Sequence, residues 1–227
     1  MFLENNRNKK LICDGTILLD NIDAGSIDCV FFDPQYRQIM DKMNYGNEGE
    51  RQSLRSLLPQ MSTDTIIQFN NKISNALKPS GYLFFWVDKF ILAEGIQTSL
   101  VNSSNLNIVD MITWDKCLLG MGYRSRRRSE YLLVYQKLPK TTKNWTDRGI
   151  PDIWEEKILH PRSRSLHPHR KPIGLISRLI KSIVTDGGYV LDPCAGSFIV
   201  KEACDIGGAN FIGCDISCDY GNELPIF

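Results

Sequence analysis

The chain has 227 residues, 42% of them hydrophobic and 23% charged. That is enough for one sizeable core and short for two. A net charge of +1 excludes a whole-chain polyanion-binding signature, so any basic footprint must be local. The seven cysteines are an odd number without CxxC spacing. Cys214 and Cys218 lie closest, with no second pair to complete a zinc site, so no metal is expected. Several cysteines sit in apolar runs, which suits reduced, mostly buried thiols in a cytoplasmic protein. Met1 to Lys10 is polar and basic, unlike a signal peptide, and the longest apolar runs are too short to span a bilayer.

In chain order, the first clear element is Cys29-Val30-Phe31-Phe32, a short apolar run that stops at Asp33 and reads as a buried strand. From Thr63 to Leu77 the apolar residues Ile66, Phe69, Ile73 and Leu77 share one helical face, with Ser62 or Thr63 as cap. The turn Lys78-Pro79-Ser80-Gly81 leads into a strand from Tyr82 to Val87. Val109 to Trp114 and Glu130 to Gln136 read as two further strands around the Gly- and Arg-rich segment Gly120 to Arg128. A polar stretch over about 138–166 reads as an irregular insertion rather than a second domain. Pro172 to Val184 forms a helix ended by Gly187-Gly188, followed by strands that stop at Asp192 and Asp215. Alternating strands and helices predict one α/β domain with a mostly parallel sheet.

In such sheets ligands bind at the carboxyl edge of the strands, where Asp33, Asp192 and Asp215 would lie. Asp192-Pro193-Cys194-Ala195-Gly196-Ser197 is a small-residue turn opening a helix, and Asp215 follows Asp192 by 23 residues. An acid at about that spacing suits the ribose of a nucleotide-like cofactor, although the G-x-G-x-x-G pattern is absent and a capped strand-to-helix turn reads equally well. Asp33-Pro34-Gln35-Tyr36 suits the holding of an exocyclic amine. The Asp33 carboxylate and Pro34 carbonyl could accept its two N–H groups, and Tyr36 could stack on a flipped base. An Asx-Pro turn capping a strand is the plain alternative.

The motifs taken together narrow the reading. Asp33-Pro34-Gln35-Tyr36 resembles the D-P-P-Y signature of amino-group DNA methyltransferases. Asp192 to Phe198 resembles their D-P-F-x-G-S-G segment, His167 to Pro172 the H-P-T-Q-K-P segment, and Phe211 to Asp215 the F-I-G-x-E strand. Trp114-Asp115-Lys116, the Gly-Met-Gly-Tyr-Arg stretch and Glu130 to Val134 resemble the W-x-K … R … E-Y-I-L-V block. With the catalytic signature first, the order resembles the β-class permutation of the family.

The resemblance implies a Rossmann-like, S-adenosyl-L-methionine (AdoMet)-dependent methyltransferase fold with circularly permuted motifs, acting on N6 of adenine in double-stranded DNA after base flipping. N4-cytosine methylation and a catalytically inactive DNA-binding partner subunit are the alternatives. It further implies that Asp33, Pro34, Gln35 and Tyr36 form the reaction centre, with Asp33 touching AdoMet as well as the base. Asp192, Pro193, Gly196 and Ser197 would shape the methionine end of the AdoMet pocket, and Lys171 would contact its carboxylate. Asp215 would hold the ribose, and Asp14 would lie near the adenine. Arg124, Arg126, Arg127 and Arg128, with Arg162, Arg164, His169 and Arg170, would meet phosphates. The 138–166 insertion is the candidate target-recognition segment, and a homodimer is possible by analogy. Three departures stand out: Gln35 for the second proline, Phe198-Ile199 for Gly-Thr, and a chain that stops soon after Asp215.

Overall fold

The computed structural model describes residues 2–34, 61–95, 100, 102, 104–120, 124–157 and 170–216. Its eight strands are β1 (Lys10–Ile12), β2 (Ile27–Phe32), β3 (Leu77–Val87), β4 (Leu106–Asp115), β5 (Ser129–Lys137), β6 (Ile153–Glu155), β7 (Tyr189–Asp192) and β8 (Asn210–Asp215). The helices are α1 (Phe2–Asn6), α2 (Gly15–Asp20), α3 (Thr63–Ala76), α4 (Lys89–Glu94), α5 (Ile173–Ile183) and α6 (Ile199–Gly207). The strands form one sheet in the order β1-β8-β7-β2-β3-β5-β4-β6. Among the described strands only β5 runs against the others, so the sheet is mostly parallel, as expected.

Strand side chains alternate between two cores, because successive residues of a strand point to opposite faces. Val30, Phe32, Leu83 and Phe85 join Ile66, Phe69 and Ile73 of α3 on one face. Cys29, Phe31, Phe84 and Trp86 join Leu175, Ile176, Leu179 and Ile180 of α5 and Val200 and Ala203 of α6 on the other. Both faces are therefore covered, which explains why the strands read as continuous apolar runs rather than alternating ones.

Element boundaries differ from expectation in instructive ways. Helix α3 is capped by Ser62, whose hydroxyl accepts the Thr65 N–H at 3.1 Å. It ends at Ala76, and β3 begins at once with Leu77. The turn residues Lys78 to Gly81 are thus absorbed into β3, where the pairing with β2 skips from Ile27↔Leu77 to Cys29↔Tyr82. The expected strand at Val109 begins earlier, at Leu106. Strand β1 was not expected: three residues are too few to show periodicity.

The polar stretch after Lys137 is anchored along the body of the domain as far as Glu156. Trp145 packs edge-on against Tyr82 at 5.5 Å, the Thr146 N–H and hydroxyl donate to the Ser182 carbonyl, and Asp147 pairs with Arg178. Strand β6 extends the sheet beside Thr113 to Asp115. Glu156, just after it, caps α5: its carboxylate accepts the Gly174 and Leu175 N–H groups at 3.0 and 3.1 Å and the Trp154 indole N–H at 2.7 Å. Pro172, at the N-cap, provides no side-chain cap of its own.

Glu156→Ala removes this cap and strands a half-buried indole donor. It should lower stability by about 1–2 kcal/mol, the usual worth of a cap, read as a lower urea midpoint with unchanged slope.

Candidate active site

The carboxyl edge of the sheet collects acids from strand after strand: Asp215 at the end of β8, Asp192 at the end of β7, Asp33 just past β2, and Asp115 at the end of β4. Glu130 joins them because β5 is reversed and begins where its neighbours end. The chain leaves β7 toward β8 and β1 but leaves β2 toward β3, so the strand order switches between β7 and β2. A crevice opens at such a switch point. Here Asp192 stands on one side of it and Asp33-Pro34 on the other.

Lys171 stands at the centre of the charge arrangement. Its ammonium lies 3.0 Å from Asp33 Oδ2 and 2.9 Å from Glu130 Oε2, over the Trp86 ring at 5.0 Å from the centroid. The other Glu130 oxygen, Oε1, accepts from Lys116 at 3.0 Å. The Lys171 side chain is only 13% exposed, whereas that of Asp33 is 40% exposed and reaches outward. Burial opposes the charge on Lys171, but Asp33 and Glu130 outweigh it and raise its pKa. Burial likewise opposes the charge on Glu130, yet Lys171 and Lys116 together hold its carboxyl down at about 2. Removal of water pushes Asp33 up; Lys171 pulls it back and Glu130 adds to the rise.

The second half of the site surrounds Cys194, where Asp192, Asp215, Asp33 and Asp14 all act on the thiol and, with burial as the largest cause, raise its pKa. Asp192 is buried and accepts the Cys194 N–H at 3.1 Å. Burial pushes its carboxyl well up, and the charges of Asp33 and Asp215 add to this. Asp215 accepts the Gly196 N–H at 2.9 Å. Gly196 has φ +47°, with open space where a side chain would stand. Ser197 is half-buried beside it. Asp14 caps α2 by accepting the Thr16 N–H at 2.7 Å. Gly15 lets this cap approach the β7 turn: a Cβ there would collide with the Pro193 carbonyl and meet the Phe69 ring at 2.8 Å. Four acids gathered around one thiol at the carboxyl edge fit a ligand that brings positive charge.

Phe198, in the place of a glycine, does not face this crevice. It takes the left-handed conformation (φ 57°, ψ 31°) that glycine would adopt freely. Its ring is buried in the core on the α5/α6 side, edge-on to Phe211 at 6.3 Å, with the Lys10 ammonium 5.4 Å from its centroid.

The sequence-expected residues therefore divide. Asp33, Pro34, Lys171, Asp192, Pro193, Gly196, Ser197, Asp215 and Asp14 share the carboxyl edge. Lys171 is engaged by Asp33 and Glu130 rather than standing alone toward a cofactor carboxylate. Among the basic residues, Arg126 donates to the Leu119 and Gly120 carbonyls and staples its own loop. Arg128 pairs with Asp115 and Arg170 with Glu202. Arg124 is exposed. Gln35, Tyr36, Arg162, Arg164 and His169 lie outside the described residues. Glu130, Lys116 and Cys194 are site residues that the sequence did not single out. Their motifs were visible, but only the reversed β5 carries Glu130 to this edge.

The fold is that of AdoMet-dependent DNA methyltransferases. A crystal structure of PvuII DNA methyltransferase, described as cytosine-N4-specific, matches with TM-score 0.71 at 16% identity, over 93% of this chain and 83% of that one. The M1.HpyAVI–SAM complex matches with TM-score 0.66 at 17% identity, over 92% and 93%. The DNA methylase family model for N6/N4 enzymes matches residues 27–224. The type II methyltransferase M.HhaII of Haemophilus parahaemolyticus is 48% identical over 211 residues, 92% of this chain and 91% of its own. M.HpaI of Haemophilus parainfluenzae is 24% identical, over 93% and 71%. The chain belongs to the N6/N4 DNA methylase family, whose members are AdoMet-dependent. Among the described residues no helix is long and apolar enough to cross a membrane.

Two stability predictions follow from the geometry. Phe198→Ala should cost about 3 kcal/mol, the low end for emptying a buried aromatic site, while AdoMet affinity by calorimetry stays within about threefold, because the ring faces away from the crevice. For Glu130 the folded-state pKa is depressed, so its contribution to stability is present above its ordinary value of 4.5 and is lost as pH falls through about 2. The stability gap between wild type and Glu130→Gln in urea should accordingly be widest at neutral pH and narrow below pH 4.5.

Proposed function

We propose that the chain is a type II modification methyltransferase that transfers a methyl group from AdoMet to N6 of adenine in duplex DNA, with the base flipped to the crevice between β7 and β2. The observation that carries this reading is the Asp33 carboxylate at the switch point, fixed from behind by Lys171 and next to the pocket of Asp192 and Asp215. AdoMet supplies an electrophilic methyl group on a positively charged sulfur. Asp192, Asp215, Gly196 and Asp14 would hold it, and a positive charge arriving beside these acids favours the ionised form of the buried Asp192.

An exocyclic amine is a poor nucleophile because its lone pair is delocalised into the ring. The chain's part is therefore orientation. Asp33 and the Pro34 carbonyl accept the two N–H groups and turn the lone pair toward the cofactor side of the crevice. Proximity and alignment carry most of the rate, with the carboxylate stabilising the charge that develops on the amine. The leading Asp of the tetrapeptide supports adenine over cytosine. The DNA adenine methyltransferase YhdJ of Escherichia coli is 34% identical over 96 residues, 39% of this chain and 31% of its own. N4-cytosine transfer is the second reading, favoured by the shared fold with PvuII methyltransferase. The burial of the Phe198 ring against Phe211 supports an active enzyme over an inactive partner subunit.

Arg124, on the hairpin loop between β4 and β5, is the best candidate for a phosphate contact. We assign target recognition to the 138–166 insertion, of which residues 158–166 lie outside the described residues. A cytoplasmic location agrees with the free thiols of Cys13, Cys29, Cys117, Cys194, Cys204 and Cys214.

Mass spectrometry of nucleosides from duplex DNA incubated with protein and AdoMet should find N6-methyldeoxyadenosine; N4-methyldeoxycytidine as sole product would overturn the adenine assignment. Asp33→Ala should retain the fold and lose at least about nine-tenths of the activity, since a charge-assisted hydrogen bond at the reacting group is worth more than tenfold. Arg124→Ala should weaken DNA binding on all sequences alike and reduce the slope of log affinity against log salt by about 0.9, one phosphate's worth.

A further inference from the structure

Asp33 must meet two demands with one carboxylate: it has to stay ionised, and it has to keep acceptor strength for the amine. A lysine bound to it alone would meet the first demand at the expense of the second. The structure holds a longer arrangement. Asp33, Lys171, Glu130 and Lys116 alternate in sign, at 3.0, 2.9 and 3.0 Å. Lys171 is nearly equidistant from its two carboxylates. The chain of charges lies against two buried indoles: Lys171 over Trp86 at 5.0 Å and Lys116 over Trp114 at 6.0 Å, the rings edge-to-face at 5.9 Å. Four elements meet here: the end of β2, the end of β4, the start of β5 and the lead-in to α5.

We propose that Glu130, held by Lys116, is a positioning residue for the methyl-transfer step: it shares the Lys171 ammonium with Asp33 and so keeps the Asp33 carboxylate oriented but only partly neutralised. This rests on the reading of Asp33 as the acceptor of the base amine. Without the Glu130 charge, Lys171 turns wholly to Asp33, which stays ionised to lower pH but is a weaker acceptor. Without the Lys116 charge, Glu130 draws Lys171 away, and Asp33 takes up a proton at higher pH. Among the described residues the other groups facing Asp33, Asp192 and Cys194 from the β7 turn, are unchanged in both cases. A Glu130 that merely neutralised a buried lysine would make both variants less stable and would still shift Asp33 through the lost charge, but it would leave the plateau kcat unchanged.

The test compares Glu130→Gln and Lys116→Met with wild type by two readouts. The first is the pH titration of the Asp33 carboxyl carbon in ¹³C-aspartate-labelled protein, with the signal assigned by Asp33→Asn. The second is the pH profile of methyl transfer to duplex DNA. The Asp33 midpoint and the acid limb of kcat should move down in Glu130→Gln and up in Lys116→Met. In Glu130→Gln the plateau kcat should fall about tenfold or more, with KM for DNA and AdoMet within about threefold, and Glu130→Asp should recover part of the loss. Midpoints that move together or stay in place, or a loss confined to KM, would overturn the proposal. If Glu130→Gln does not fold, the upward shift in Lys116→Met alone decides. Opposed carboxyl shifts in a wild type that methylates no nucleoside would leave the charge network standing and defeat the amine-methylation reading. Methylation without those shifts would do the reverse.

Discussion

Taking an ammonium out of water costs several kcal/mol unless anions and hydrogen bonds compensate it. At Lys171 that compensation comes from two carboxylates carried by different strands. The lysine therefore ties the end of β2 to the start of β5 and fixes the lead-in of α5 against both. Loss of either partner would leave a buried charge half-satisfied, so these elements have little freedom to shift independently. Glu156 tightens the same region from below by capping α5 immediately after Lys171 and Pro172. Asp33 gains a fixed direction from this while its outer side remains open to the crevice.

The neighbouring half of the site has the opposite electrostatic character. Asp14, Asp33, Asp192 and Asp215 converge around Cys194, and burial leaves Asp192 reluctant to ionise. Repulsion of this kind disfavours the empty protein and favours a ligand with positive charge. On the proposed reading the two halves divide the chemistry: a cluster of acids for the cationic methyl donor, and a carboxylate with a lysine behind it for the amine. They meet at the switch between β7 and β2, where Asp33 influences both.

Backbone constraints explain how a small domain brings these pieces so close. Gly15 allows the first turn of α2, and with it Asp14, to lie against the Pro193 carbonyl. Phe198 is the opposite case, a bulky residue accepted at a left-handed position because its ring gains a core site against Phe211. Burial of an aromatic side chain outweighs the roughly 1–2 kcal/mol that such a conformation costs, and the glycine-like turn survives without the glycine.

Much of this was legible in the chain itself. The apolar runs ending at Asp33, Asp192 and Asp215 set strand positions and the binding edge, because a buried parallel strand needs an uninterrupted apolar run and its polar continuation must emerge at one end. The order of the motifs carried the family and its cofactor. The sequence could not show that Glu130 and Lys116 belong to the site, since their approach depends on β5 running against its neighbours, a long-range pairing with no local signature. Nor could it show which arginines are already engaged, as Arg126, Arg128 and Arg170 are, or that the Phe198 ring turns into the core. Local pattern determined which segments form strands and which acids end them. Tertiary structure decided which charges share a lysine, because Coulomb attraction acts between groups that folding, not sequence separation, brings together.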